Sequence, residues 1–265
     1  MTPPAFGNLP LLLDPRAWSQ VPEAAAAIGA AKLDDWYGPG YEVMQGVAVI
    51  QVSGILVPRL GTLASWGFAT GYDGIRANLA AALDDDAVEA VAMLVASPGG
   101  LVSGLFDLAD TIYAARGSKP IWAICDDYAY SAAYAIVSAC DRVSVPATGG
   151  TGSVGVICAL MDLSGYFEKA GVVPHFVTYG KRKAAETRAQ YEGVTPEVLK
   201  GMQADVDLLG EMFVASVARN RGISTSAVRE QEADTFMGEA GVNAGLADIV
   251  ASADAAFLQL LDSLG

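Results

Sequence analysis

VAMLVASPGG, residues 91–100, runs a strand-length apolar stretch straight into two adjacent glycines, and IWAICDDYAYSAAYAIVS, residues 121–138, repeats the design with a serine at the turn. In both, a short apolar run ends at turn residues and a helix-length stretch follows, which is the alternation of a β/α unit. Working outward, strands are predicted at 47–52, 91–96, 121–125, 142–145 and 172–178, and helices at 74–83, 103–115, 131–138 and 162–170. Such alternation builds an α/β fold, a mostly parallel sheet with crossover helices. A longer helix is predicted from Thr195-Pro196-Glu197 to about residue 220, since threonine caps and proline is tolerated in the first turn, with Gly222 as its stop.

Residues 1–40 carry prolines, an alanine run from Ala24 to Ala27 and Gly38-Pro39-Gly40, and one short helix is expected near 21–33. They read as an N-terminal extension, 41–250 as the main domain and 251–265 as a C-terminal tail. Residues 58–71, with three glycines and two aromatics, read as a long surface loop near a site.

Of the 265 residues 52% are hydrophobic and 17% charged, which excludes a disordered polymer. A mean hydropathy of +0.35 points to apolar surface covered in a homo-oligomer. The net charge of −14 argues against nucleic acid as a partner. Cys125, Cys140 and Cys158 stand in apolar surroundings without CxxC spacing, as buried reduced thiols would in a cytoplasmic protein. The first residues lack the basic and apolar regions of a secretory signal, and VAVIQVSGILV at 47–57 is interrupted by Gln51, Ser53 and Gly54, so no membrane partner is expected.

Three features carry chemistry. Ser97-Pro98-Gly99-Gly100 sits at a strand-to-helix turn, where glycines let a backbone approach a ligand and present N–H groups to it; the bland reading is an ordinary tight turn. Ser131 opens a predicted helix, where its hydroxyl lies beside unpaired N–H groups; the bland reading is a helix cap. Gly152-Ser153-Val154-Gly155-Val156 is followed by Tyr179-Gly180-Lys181-Arg182-Lys183, and a lysine acts as a base only where burial or neighbours keep it neutral. The bland reading of that run is a solvated basic patch. Asp84-Asp85-Asp86 reads as a solvated turn rather than a cation site, so neither metal nor cofactor is expected.

SPGG, a serine at the next strand-to-helix junction, GSVGV and a G-x-x-K turn, in that order, resemble the signal peptide peptidase A family of serine peptidases, of ClpP/crotonase-like fold, from about residue 41 to residue 250. The resemblance implies Ser131 as nucleophile and Lys183 as general base, with the N–H groups of Gly100 and Ala132 as oxyanion donors. Ser153 matches a position that orients the lysine. Lys181 competes with Lys183, and only the G-x-x-K pattern separates them. The sole histidine, His175, has no aspartate nearby in sequence, and a serine–histidine–aspartate triad is the weaker reading.

YEVMQGVAVIQVSGILVPR, TGYDGIRANLAAAL and EAGVNAGLADIV are similar to the phage branch of that family, the head maturation proteases. This implies a serine endopeptidase acting on scaffold, portal or capsid proteins, in or on an assembling procapsid in the bacterial host cytoplasm. Competing readings are a degenerate capsid-assembly subunit of the same fold, a cytoplasmic peptide-degrading relative, and a crotonase-type acyl-CoA enzyme, which needs neither the serine nor the lysine.

Overall fold

The computed structural model describes residues 11–13, 40–61 and 69–265, the first of these as backbone. The predicted helix at 21–33 lies outside the described residues, as does 62–68 of the expected loop.

The sheet is assembled from β1 (Leu11–Leu13), β2 (Glu42–Met44), β3 (Val47–Val57), β4 (Ala69–Gly71), β5 (Ala90–Leu101), β6 (Ile121–Tyr130), β7 (Arg142–Val145), β8 (Gly150–Gly152), β9 (Thr235–Met237) and β10 (Ile249–Val250). Its central order is β10-β7-β6-β5-β3-β2, and every neighbouring pair there is parallel except β2 with β3. β4 adds to β3 and β8 to β6, both parallel, while β9 pairs antiparallel with β8. β1 runs antiparallel to the end of β5.

Side chains alternate across a strand, so β5 feeds two cores. Val91, Met93 and Val95 face the larger one, covered by α1 (Tyr72–Asp84), α2 (Leu105–Ala115) and α3 (Ala132–Ser138). Ala90 and Ala92 face the other, where Trp122 and Ile124 meet Ala256 and Leu260. Those last two belong to the final helix, Ala253–Asp262, so most of the expected tail packs on the sheet.

α4 (Ser164–Lys169), α5 (Ala185–Glu192), α6 (Pro196–Arg221), α7 (Thr225–Glu230), α8 (Glu239–Asn243) and α9 (Ala253–Asp262) complete the helices among the described residues. α6 begins and ends where its sequence places it: the Thr195 hydroxyl accepts from the Val198 N–H, and Gly222 takes a left-handed φ of 66°.

Two expectations need correction. Residues 172–178 form no strand: Val172, Val173 and Val177 are exposed, and the segment pairs with no described strand. Apolar, β-branched composition is not enough without a neighbouring strand. The end of the expected loop, Ala69–Gly71, is instead a buried strand.

Candidate active site

The parallel register of β6 and β8 decides the geometry. Tyr130 pairs with Gly152, so the next residues, Ser131 and Ser153, leave the two strands side by side. The Ser131 N–H donates to the Gly152 carbonyl at 2.9 Å, and the Ser153 N–H donates to the Asp234 carbonyl at 2.8 Å. Both serines are buried and both have positive φ, 55° and 56°. That region is costly for a residue with a Cβ, by about 1–3 kcal/mol, and persists only where surrounding structure enforces it.

Ser131 occupies the N-cap position of α3 with φ 55° and ψ −119°, yet its side chain makes no capping hydrogen bond. The hydroxyl therefore does not serve as a helix cap. The helix behind it is firmly held: the Tyr134 hydroxyl donates to the Leu246 carbonyl at 2.9 Å, and burial pushes the pKa of that phenol up. At its far end the Arg116 guanidinium donates to the Ser138 and Ala139 carbonyls, and to Asn220 at the end of α6.

Beyond Val95 the register of β5 with β6 shifts, and Ser97 pairs with Ala129, two residues before Ser131. The Ser97 hydroxyl, fully buried, donates to the Gly54 carbonyl at 2.7 Å and accepts from the Gly99 N–H at 3.2 Å. This braces the glycine pair within β5. Gly99 has φ 108°, and a Cβ on Gly100 would lie 1.9 Å from the Leu56 carbonyl oxygen, so no side chain fits there. Ala132, fully buried, is the first residue of α3, and a helix offers its first N–H groups no carbonyl one turn back.

Four of the predicted site residues, Gly100, Ser131, Ala132 and Ser153, thus gather at the ends of β5, β6 and β8. Lys183 does not join them. It lies exposed in the turn before α5, where its N–H donates to the Gly180 carbonyl, and its ammonium makes no hydrogen bond or ion pair with another described residue. Lys181 is exposed too, beside Arg188 and Glu192 in a shallow cleft. The segment carrying both has its own small aromatic cluster, with the Phe167 and Tyr191 rings stacked at 4.4 Å and Phe176 at 5.8 Å from Tyr191. His175 is exposed in the same segment. The carboxylate of Asp85 accepts from the Tyr41 hydroxyl and the Ala87 N–H, as a turn residue would. Burial raises the Cys125 thiol to about 12 and holds it protonated.

Sequence reasoning missed two supports of this site. The sequence offers Ser97 only as part of a turn motif, although a serine two residues before paired glycines is suited to brace them. The Asp234 carbonyl that holds Ser153 comes from a distant turn with no local signal.

Among protein families, residues 114–264 match the model of peptidase family S49. The chain is 40% identical over 224 residues to the head-tail preconnector protein GP5 of Enterobacteria phage P21, covering 84% of this chain and 44% of that protein. It is 35% identical over 246 residues to capsid assembly protease C of Escherichia phage lambda, covering 91% of this chain and 55% of that protein. The chain therefore spans about half the length of these curated relatives. A mostly parallel sheet whose strand ends gather a strained serine and a buried glycine pair, and a family match that contains every strand from β6 to β10, lead to one conclusion: the chain belongs to peptidase family S49 and has its ClpP/crotonase-like fold.

Proposed function

We propose that the chain is a serine endopeptidase of phage head maturation, with Ser131 as nucleophile and Lys183 as general base. The observation that carries this reading is the Ser131 hydroxyl, which is held at a strained, buried strand-to-helix junction and yet does not cap the helix behind it. Neutral Lys183 accepts the hydroxyl proton as Oγ bonds to the substrate carbonyl carbon. The resulting oxyanion accepts hydrogen bonds from the Gly100 and Ala132 N–H groups, and the lysine returns the proton to the departing amine. Water then releases the acyl group by the same route in reverse. Ser153, beside Ser131 in register, orients the lysine.

Lys183 is exposed in the single chain, and a base of this kind needs a dry setting. Homo-oligomerisation that covers Val173, Val177 and Tyr179 on its segment would supply one. Substrates are segments of scaffold, portal or capsid proteins in an assembling procapsid in the host cytoplasm, in keeping with the names of the phage relatives. The exposure of Lys183 favours one second reading, a degenerate assembly subunit. Co-expression with the neighbouring head proteins separates the two: truncated head proteins should appear with the unmodified chain and vanish with Ser131→Ala. Uncut head proteins in both cultures would leave the assembly-subunit reading standing.

A further inference from the structure

Gly99 and Gly100 are paired on both sides at once. On one side, Ile55 and Leu56 of β3 pair with them, as β3 does along β5 from Ala90 onward. On the other, Leu13 and Leu12 of β1 pair with the same two glycines, antiparallel, with Leu11 opposite Leu101. A strand has only two edges, and β6 occupies the second one from Val91 to Ser97. β1 therefore continues along the edge that β6 vacates. β6 still holds β5 at Ala129, has β8 on its other edge, and ends at Tyr130, immediately before Ser131 and short of Gly99. The N-terminal strand consequently lies along the glycine end of β5, on the edge where β6 gives way to Ser131.

From this register we propose that Leu11–Leu13 fills the substrate groove of its own chain as an intramolecular, substrate-like strand, and that a substrate must displace it; this rests on Ser131 being the nucleophile. An extended peptide recognised by strand addition needs a free edge beside the reacting serine, and among the described residues the register leaves that edge of β5 at Gly99–Leu101. The segment suits such a reversible block. Its pairing with β5 runs from Leu11 to Leu13, few enough bonds to be displaced, and in the sequence prolines, which lack an N–H to donate, stand at positions 10 and 15.

The test uses the full chain with Leu12→Pro and, separately, Leu13→Pro. Successive N–H groups point to opposite edges, so one of the two substitutions removes a donor aimed at β5. Two quantities are followed: the rate at which a fluorophosphonate labels Ser131, and hydrogen-exchange protection of residues 98–102, with unchanged protection of β6 as the mark of a folded variant. At least one variant should label about tenfold faster, as expected when a groove open about a tenth of the time becomes free. The same variant should lose protection at 98–102, and adding the peptide NLPLLLDPR should restore both values. Unchanged protection and labelling in both folded variants would overturn the proposal while leaving Ser131 as nucleophile. Lost protection with unchanged labelling would also overturn it, because the strand would then not cover the serine. Faster labelling that disappears on dilution of the unmodified chain would overturn its intramolecular form. If Ser131 labels in no chain, the nucleophile assignment fails and the block falls with it.

Discussion

The backbone of Ser131 is held against its own preference, with φ 55° and ψ −119°. Glycine reaches such angles without a Cβ penalty. Ser131→Gly should therefore abolish cleavage and yet raise stability by about 1 kcal/mol, the relieved strain exceeding the entropy cost of glycine. Chemical denaturation measures this, and a clear loss of stability would show that the junction is unstrained. The lysine assignment meets its check at the same scale. Lys183→Ala and Lys183→Arg should each lower cleavage by at least about a hundredfold, the scale of general base catalysis, since arginine cannot give up its proton. Lys181→Ala and His175→Ala should stay within a few-fold of the unmodified chain. Loss of cleavage in Lys181→Ala with retention in Lys183→Arg would move the base by two residues.

Among the elements, the helix α3 that follows Ser131 has only seven residues and takes its order from outside. Arg116 satisfies carbonyls at the C-terminal ends of both α3 and α6, positions that would otherwise lack donors. Arg116→Ala should cost about 2–4 kcal/mol, as for other losses of a charged donor from partly buried acceptors, and should unfold both helices together. Thermal melts followed by circular dichroism would read it. These elements also show what the sequence made legible. β3, β5, β6 and β7 were visible as apolar runs, and α6 through Thr195-Pro196 and Gly222, because burial and capping leave local marks. The continuation of β5 through Ser97-Pro98-Gly99-Gly100 was not visible, since proline and glycine signal a turn and only β3 and β1 at its edges keep the segment extended. For the same reason 172–178 read as a strand and is none. Gly100, Ser131, Ala132 and Ser153, which the family resemblance singles out, come together at the strand ends, whereas Ser97 and the Asp234 carbonyl act through tertiary contacts that no local pattern announces.

Over the whole molecule, 30 acidic and 16 basic residues give a net charge of −14, and no described helix is long and apolar enough to cross a membrane. One carboxylate has structural weight. Asp248 pairs with the buried Arg221 at 2.8 Å and accepts from the Val143 N–H, tying the C-terminal region to β7. Burial alone would raise its pKa, but the Arg221 hydrogen bond and charge outweigh it and hold the carboxyl below the usual range. A depressed carboxylate stabilises the fold above its unfolded-state pKa, and that contribution fades as pH falls through the lower folded value. Stability should thus decline below about pH 4, with a shallower decline in Asp248→Asn, which starts less stable. Denaturation midpoints at a series of acidic pH values would show parallel slopes if Asp248 contributes nothing. The bond from Tyr134 to the Leu246 carbonyl has another consequence, for synthesis on the ribosome. The helix that follows Ser131 is made 112 residues before the carbonyl that anchors it, and Ser153 likewise awaits the Asp234 carbonyl. A nascent chain thus carries Ser131 long before the residues that set its junction in place have emerged, and the order of translation itself keeps that junction unset until synthesis has passed residue 246.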